Sequence, residues 1–314
     1  MIQPFRLRAI TAISAMISTR MLRKCLVLAG LILVGLSRAQ AAVQKIGPDL
    51  YAYISANDAS ANSTFLIGEH GILVVDTGLN EREGRSLLNE IRKISPLPVR
   101  WIINTHYHPD HRGGNSVVGP DAVIISTGYT RNQVLAGVKG AAKPDYSLNV
   151  VTGFTSGDQA GLSLELGGHE VRIYHPGPAH TRGDLVVYFP GQAAVAIGDL
   201  FLNGSCPAMD DGDLENWIVA LDHILSLPVE HFVPGHFQLA TKPELRHFRD
   251  YLAELRDQVA RMYRGGLTIE QVKSGLDLSR YNDLRQFPQY EATFADNAAA
   301  YYAQLQAHAH AAQR

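Results

Sequence analysis

Cysteine is nearly absent from this sequence, which has only Cys25 and Cys206 among its 314 residues. Cys25 lies in an N-terminal segment that we expect to be removed, so Cys206 is alone in the mature chain and an internal disulfide is excluded. The N-terminal apolar run Cys25–Leu36 has twelve residues, whereas a helix that spans a membrane needs about 20. The mature fold must therefore be held together by its core or by metal.

This short apolar run has the surroundings of a secretory signal peptide. A small-x-small sequence, AQA, follows it at residues 39–41, and basic residues precede it at Arg20, Arg23 and Lys24. The order predicts cleavage after Ala41. Residues 1–41 are therefore predicted to be a signal peptide, with residues 1–20 as an upstream extension and Met21 as the alternative start. We expect a periplasmic or secreted protein without a stable membrane anchor after cleavage.

Positive charge is scarce once this segment is removed. Residues 1–41 carry six basic residues and no acidic ones, so the mature chain keeps 22 basic and 30 acidic residues and a net charge of −8. A net-acidic chain without a basic stripe is a poor ligand for nucleic acid or anionic membranes. With 46% hydrophobic and 18% charged residues the chain is globular rather than disordered. Its expected partner is a small-molecule substrate.

Short apolar runs alternate with amphipathic stretches, which indicates an α/β chain. The predicted strands are Leu50–Ser55, Ser63–Ile67, Gly71–Asp76, Val99–Asn104, Ala122–Ile125, Leu162–Leu166, Glu170–Tyr174, Leu185–Phe189, Ala193–Ile197 and Phe232–Val233. The predicted helices are Glu81–Lys93, Tyr129–Val138, Leu214–Leu225 and a long helix after Thr241. Thr241 and Thr268 each open a capping-box sequence.

Hairpins are mixed with helical connections, so we predict a sandwich of mixed sheets with outer helices rather than a Rossmann sheet. The expected organisation is a catalytic domain over residues 42–240 and a helical extension over residues 241–314, packed on the same domain. Two loops, 140–160 and 201–213, are expected to determine substrate choice. Nothing in the pattern indicates an oligomeric state.

The strongest functional signal is the sequence THYHPDH at residues 105–111, directly after a predicted buried strand. In extended chain His106 and His108 project to the same side. Pro109 ends the extension, so Asp110 and His111 turn towards a second point nearby. This bifurcation suits two metal ions better than one.

Three distal residues have a matching context, since each lies where a predicted strand ends or loops converge. They are His180, Asp199 and His236. Taken alone, each is more often a structural residue than a ligand. The histidines without such a context are interpreted as surface or supporting residues: His70, His169, His175, His223, His231 and His247, with His308 and His310 solvated in the tail.

In residue type, order and spacing this series resembles the metal-ligand series of the metallo-β-lactamase superfamily, over residues 45–240. The resemblance implies an αββα sandwich with the site along one edge of the two sheets and a C-terminal helical tail. It implies that one zinc is bound by His106, His108 and His180, and the other by Asp110, His111 and His236. Asp199 would bridge the two ions. Asp76 matches the family's aspartate that orients the ligand loop.

Imidazole and carboxylate ligands suit Zn²⁺, although iron and manganese stay open as alternatives. Two close metal ions hold a bridging hydroxide that is deprotonated near neutral pH. Asp110 is placed to orient this nucleophile or to pass a proton. The predicted function is therefore that of an exported dizinc hydrolase acting on an ester, thioester, lactone or lactam bond.

Differences from individual branches of this superfamily narrow the choice of function. Antibiotic-degrading relatives with a cysteine ligand carry it where Asp199 stands here, with a lysine three residues later where this chain has Leu202; Cys206 does not fill that position. In the residues around them, the motifs most resemble those of exported metallohydrolases associated with quinoproteins and of glyoxalase II-like thioesterases. The alternatives are a true β-lactamase, an iron-dependent redox enzyme on the same scaffold, and a non-catalytic metal-binding module.

Overall fold

The structure, a computed structural model, describes residues 41–137, 150–154, 161–209, 211–285 and 293–312. Residues Ala41–Arg314 form one compact unit. Residues 1–40 of the predicted signal peptide and most of the predicted loop 140–160 lie outside the described residues. Both therefore stay predictions.

The first sheet has seven strands in chain order. Strands β1 to β4 are antiparallel to their neighbours, and β4 to β7 run parallel. The strands are β1 Ala42–Lys45, β2 Leu50–Ile54, β3 Ser63–Ile67, β4 Ile72–Val75, β5 Val99–Ile103, β6 Val123–Ile125 and β7 Val150–Val151. Because parallel strands end at the same edge, the residues that follow β4 and β5 emerge side by side.

The second sheet has five strands in the order β12-β11-β10-β9-β8. Only β11 and β12 are parallel, and the other pairs are antiparallel. The strands are β8 Leu162–Glu165, β9 Glu170–Tyr174, β10 Val186–Phe189, β11 Ala194–Ala196 and β12 His231–Val233. The predicted hairpins β8–β9 and β10–β11 are confirmed.

The helices lie between strands and in the C-terminal part. They are α1 Glu81–Ile94, α2 Pro109–Arg112, α3 Asn115–Val118, α4 Gly128–Leu135, α5 Leu214–Ser226, α6 Lys242–Arg264, α7 Ile269–Gly275 and α8 Phe294–Ala311. Short 3-10 turns occupy Pro190–Gln192, Gly198–Leu200 and Ser279–Leu284. Capping boxes open α6 at Thr241 and α7 at Thr268, as the sequence predicts, and a third opens α8 at Thr293.

Three apolar clusters divide the molecule into four layers. In β4, Leu73 and Val75 face the second sheet, while the alternate residues Ile72 and Val74 face the helix α1. The third cluster joins the outer face of the second sheet to α5, α6 and α8. The layers are therefore helix, sheet, sheet and helix, and the predicted αββα sandwich is confirmed, with the C-terminal helices packed on its second sheet.

The predicted strands and the helices α1, α5 and α6 agree with the observed ones to within one or two residues. The sequence does not predict the strands β1 and β7 or the short helices α2 and α3; β7 has two residues and lies within the stretch interpreted as loop. Helix α4 ends at Leu135, before the predicted limit, and Gly137 follows with a φ of +75°. Among the described residues, no helix combines the length and apolarity that crossing a membrane requires.

A candidate dinuclear metal centre

Strand β5 delivers a histidine-rich turn to one edge of the first sheet. His106 and His108 follow the strand, and their ring centroids lie 4.5 Å apart. Pro109 then begins the single-turn helix α2, which carries Asp110 and His111. The predicted change of direction at Pro109 is confirmed.

Two glycines let helix α1 approach this turn closely. A Cβ atom on Gly113 would lie 2.0 Å from the carbonyl oxygen of Leu79, and one on Gly114 would lie 2.7 Å from the Cα atom of Gly84. Distances under 3.0 Å leave no space for a side chain. This close packing holds the end of α2 against the start of α1.

The other three predicted residues come from connections of the second sheet. His180 lies between β9 and β10, Asp199 lies in the 3-10 turn after β11, and His236 lies three residues beyond β12. All three are buried, with Asp199 the most exposed of them at 7%. The two sheets therefore contribute to one site at their shared edge.

The seven side chains form two groups in which the ligand-type atoms all lie within 4.8 Å of one another. We call them the first metal group and the second metal group. The first metal group is His106, His108, His180 and Asp199. The second metal group is Asp110, His111, Asp199 and His236.

Asp199 belongs to both groups because its two oxygens face in different directions. Oδ1 lies 3.1 Å from Nε2 of His111 and 3.6 Å from Nε2 of His236. Oδ2 lies 3.5 Å from Nε2 of His180 and 3.8 Å from Nε2 of His106. One carboxylate is thus shared between two clusters of imidazoles, which is the arrangement of a bridging ligand.

Several of these atoms are buried and make no hydrogen bond: Nε2 of His106, Nε2 of His111 and Oδ1 of Asp199. A buried polar atom without a partner costs about 1–3 kcal/mol. An imidazole nitrogen and a carboxylate oxygen that converge in this way are a donor set for a divalent cation such as Zn²⁺. The residues present therefore fit two metal ions, although the donor set alone leaves the metal open.

Asp76 orients His111. Its Oδ2 lies 2.7 Å from Nδ1 of His111 and accepts a hydrogen bond from the Oγ1 hydroxyl of Thr105 at 2.7 Å. Its Oδ1 accepts a hydrogen bond from the N–H of Thr105 at 2.8 Å. The backbone of Asp76 is in the left-handed region, with a φ of +55°, which aspartate tolerates better than most residues. This carboxylate places the proton of His111 on Nδ1 and directs Nε2 into the site.

Two backbone carbonyls do the same for His180 and His236, and the sequence gives no sign of either contact. Nδ1 of His180 donates to the carbonyl of Ala208 at 3.2 Å, and Nδ1 of His236 donates to the carbonyl of Asp58 at 3.1 Å. In each ring Nε2 is left to face the site. Carbonyls carry no side-chain signature, so no sequence pattern could have indicated them.

The loop that holds His236 is itself clamped by Asn62. The Nδ2 amide of Asn62 donates to the carbonyls of Pro234 and Phe237, at 3.1 and 2.7 Å. Phe237 has a φ of +71°, which is unusual for a bulky side chain. The amide of Asn62 thus stabilises a strained backbone directly beside His236.

Burial and charge act together on the titration of the site. Burial, with the neighbouring His111 and His108, holds the pKa of His106 well below its usual value, so this ring is neutral. Burial disfavours the carboxylate of Asp199, but His111 and His236 outweigh it and hold its pKa well below the usual value. For Asp110, burial is likewise outweighed by His111 and His236, and the pKa falls to about 2. The site therefore holds two ionised carboxylates at neutral pH.

The segment that follows His180 contains a buried aspartate. Both oxygens of Asp184 accept hydrogen bonds from Thr181, from its N–H at 2.9 Å and from its hydroxyl at 2.7 Å. Burial raises the pKa of Asp184 to about 7, although these hydrogen bonds act against the shift. The carboxyl is therefore protonated in the folded chain at pH values where it is ionised in the unfolded chain.

This shift predicts a pH dependence of stability. An ordinary aspartate has a pKa of 3.8, so between about pH 4 and pH 7 the folded state binds the extra proton and its stability falls as the pH rises. We expect Asp184→Asn to flatten the curve of unfolding free energy in that range, by up to about 1.4 kcal/mol per pH unit. The measurement is urea unfolding in the presence of a chelator. Asp222→Asn, at an exposed aspartate, is the control, and parallel curves for both variants and the wild type would contradict the prediction.

Cys206 lies outside both metal groups. Its Sγ donates to the carbonyl of Leu284 at 3.4 Å, and its side chain belongs to the apolar cluster under the second sheet. Leu202 is buried as well and pairs by a backbone bridge with His236. The expectation that Cys206 does not fill the position of the cysteine ligand agrees with this geometry.

Comparison with known families gives one match over most of the folded region. Residues 56–236 match the family described as the metallo-beta-lactamase superfamily. The matched range includes all seven residues of the two metal groups and Asp76.

Two curated proteins are similar to this chain. The 2,4-dinitroanisole O-demethylase subunit alpha of Nocardioides sp. (strain JS1661) is 28% identical over 222 residues, covering 70% of this chain and 63% of that protein. The linear primary-alkylsulfatase of Pseudomonas sp. (strain ATCC 19151) is 25% identical over 272 residues, covering 69% of this chain and 51% of that protein. This chain thus spans less than two thirds of the length of either relative.

A solved structure with the same fold is the metallo-beta-lactamase from Pontibacter korlensis. It superimposes with a TM-score of 0.57 at 24% sequence identity and covers 68% of this chain and 99% of that chain. At this identity the likeness supports the fold alone.

Proposed function

This chain belongs to the metallo-β-lactamase superfamily, and from that premise we propose that it is an exported dizinc hydrolase acting on an ester, thioester, lactone or lactam bond. The observation that carries the proposal is the shared carboxylate of Asp199, which faces two complete groups of ligand-type atoms. Export rests on the signal-like sequence at residues 1–41. Residues 42–240 would form the catalytic domain and residues 241–314 its helical extension.

In this proposal His106, His108 and His180 would hold one zinc, Asp110, His111 and His236 would hold the other, and Asp199 would be shared. Zinc held there would supply a hydroxide near neutral pH and polarise the bond to be cleaved. The protein contributes the orientation of the rings, which Asp76 and the carbonyls of Ala208 and Asp58 hold from behind. These contacts fix the ligand nitrogens before a metal binds.

Asp110 is the residue we propose for proton handling. Its Oδ2 lies 3.1 Å from Nε2 of His236 and 3.5 Å from Nε2 of His111, inside the second metal group. Its Oδ1 makes no hydrogen bond to any residue that the structure describes. The side chain is 19% exposed, the largest fraction among the carboxylates of the site. Oδ1 can therefore orient the attacking water or pass its proton on while Oδ2 stays in the site, and with a pKa of about 2 Asp110 would hold that proton only in transit.

In this proposal the substrate is a small molecule. Hydrolysis of β-lactams in the manner of the relatives with a cysteine ligand is disfavoured for two reasons. Asp199 occupies the position of the cysteine ligand, and the apolar Leu202 occupies that of the lysine that binds the β-lactam carboxylate. The two curated relatives are named for demethylating an aryl methyl ether and for cleaving an alkyl sulfate, so both bond types belong in a substrate test.

Metal analysis and a substrate panel test this function together. We expect about two zinc ions per chain in the natively purified mature protein, and turnover of at least one acyl ester, thioester or lactone that stops on chelation and returns with Zn²⁺. The panel adds nitrocefin, a phosphodiester, an alkyl sulfate and an aryl methyl ether. Protein without transition metal, or activity unaffected by His106→Ala, would refute the hydrolase.

The same measurements separate the alternatives. Bound iron together with oxygen uptake would indicate a redox enzyme rather than a zinc hydrolase. Nitrocefin turnover above that of a His108→Ala control would identify a β-lactamase despite Leu202. Two bound zinc ions without turnover of any substrate would indicate a metal-binding module.

A further inference from the structure

The first turns of helix α5 touch two of the three connections of the second sheet that contribute residues to the metal groups. The N–H of Asp213, the N-cap residue, donates to the carbonyl of Ala179 at 2.9 Å, directly before His180. Asn216 donates two hydrogen bonds to the carbonyls of Pro176 and Pro178, at 3.1 and 2.9 Å. The backbone that leads into His180 is thus held at three carbonyls, those of Pro176, Pro178 and Ala179.

Trp217, the next residue of α5, contacts the metal groups more directly. Its indole ring meets the ring of His180 edge to face, with centroids 5.5 Å apart and planes at 67°. Its Nε1–H donates to the carbonyl of Leu200 at 2.9 Å, one residue after Asp199. Trp217 is fully buried, so its rotamer is fixed by packing. One side chain therefore touches the ring of one ligand and the backbone beside the shared carboxylate.

The C-terminal helix α8 supports the same turn. Gln304 donates from Nε2 to the carbonyl of Gly212 at 3.1 Å and accepts from the N–H of Leu214 at 3.2 Å. Gly212 packs on Ala179 so closely that a Cβ atom would lie 2.3 Å from the carbonyl oxygen of Ala179. A movement of this turn therefore moves the segment before His180.

We propose that Trp217 is a positioning residue for the first metal group. Gln304 of helix α8 connects the C-terminal helices to the same turn, so these helices influence the positioning as well. The second metal group has different supports: Asp76 and Thr105 lie at the edge of the first sheet, and Asn62 lies at the start of β3. Loss of Trp217 should therefore weaken metal binding at the first metal group more than at the second, which Trp217 approaches only through the backbone beside the shared Asp199. The inference rests on the proposed function, because it takes the first metal group to be a metal site.

The test measures metal release in variants of the two tryptophans of the chain. Trp217→Phe keeps an aromatic edge for His180 and removes the N–H to Leu200; Trp217→Leu removes both. Trp101→Phe is the matched control, since Trp101 is a partly buried residue of β5 that packs in the core between the sheets. Release of Co²⁺ or Zn²⁺ to a chromogenic chelator is followed with time.

We expect two kinetic phases in the wild type and in Trp101→Phe. In the Trp217 variants one phase should become roughly 10- to 100-fold faster, which is the usual effect of removing a group that orients a metal ligand, while the other phase changes much less. The Co²⁺ absorption spectrum should change with it, which a general loss of stability would not cause. In Trp101→Phe, where Trp217 is the remaining tryptophan, Co²⁺ should quench the fluorescence.

Unchanged release from Trp217→Leu would overturn the inference and leave the proposed function intact. A wild-type protein that binds no metal would instead refute the proposed function. If the Trp217 variants do not fold, Gln304→Ala provides the second test, since it removes only the two hydrogen bonds to Gly212 and Leu214. It should accelerate the same phase several-fold, and equal release rates in that case would also overturn the inference.

Discussion

Asp199→Ala is expected to lower kcat/KM on the order of 10³-fold and to reduce the metal content from about two ions per chain to one or none. The reason is geometric, because Asp199 is the one residue shared by the two metal groups, with Oδ1 facing one and Oδ2 the other. Its removal also leaves several buried imidazoles without this negative charge beside them, which lowers the stability of the folded chain. Metal analysis and kinetics on the best substrate of the panel would measure both effects.

Two further variants give this experiment its contrast. Asp199→Asn keeps an oxygen for one group and gives an amide to the other, so we expect about one metal ion per chain and a similar loss of activity. Asp222→Ala changes an exposed aspartate of α5 that pairs with Arg249, and it should bind metal as the wild type does. Full metal content in Asp199→Ala would contradict the bridging role.

Asp76→Ala has the second largest expected effect, which combines lost stability with weaker metal binding. Asp76 is buried and accepts from the N–H and hydroxyl of Thr105 while it pairs with Nδ1 of His111. Alanine would leave these groups without partners, and breaking one side of such a buried charged network costs about 3–5 kcal/mol. We also expect the second metal group to lose roughly 10- to 100-fold in affinity, because the ring of His111 loses its orientation.

Chemical denaturation and metal competition can separate the two effects. Asp76→Asn is the informative companion, because a single carbonyl oxygen accepts fewer of the three hydrogen bonds and cannot balance the charge of His111. The pKa of His111 is raised well above its usual value: burial opposes the shift, but Asp199, Asp76 and Asp110 outweigh it. We expect intermediate stability in Asp76→Asn and metal affinity closer to that of Asp76→Ala. Wild-type affinity in both variants would contradict the orienting role.

The sequence predicts the part of the site that depends on local pattern. His106, His108, Asp110 and His111 lie within six residues, and the backbone rules for extended chain and proline suffice to separate them into two directions. Hydrophobic alternation likewise predicts ten of the strands, because each has one face in the core between the sheets. The distal ligands needed the family's order of residues to be recognised.

What the sequence does not predict is the support behind the ligands. The carbonyls of Ala208 and Asp58 belong to residues whose side chains play no part in the contact. Trp217 meets His180 across 37 positions of the chain, and a tryptophan on an apolar helix face predicts a core residue and nothing more. The loop 201–213, for which the sequence predicts a role in substrate choice, also contributes the carbonyl that orients His180. Such roles follow from the packing of elements that are distant in sequence.

The shared edge of the two sheets has a mechanical consequence. One half of the site follows a strand of the first sheet: His106, His108, Asp110 and His111. The other half, His180, Asp199 and His236, belongs to the second sheet. Every ion bound there would therefore link the two sheets of the sandwich. Chelation would remove these links and leave the apolar contacts and the hydrogen bonds between the sheets, such as those of Asn62. Amide exchange should then accelerate first where β5, β11 and β12 end, while the opposite rim of the sandwich keeps its protection.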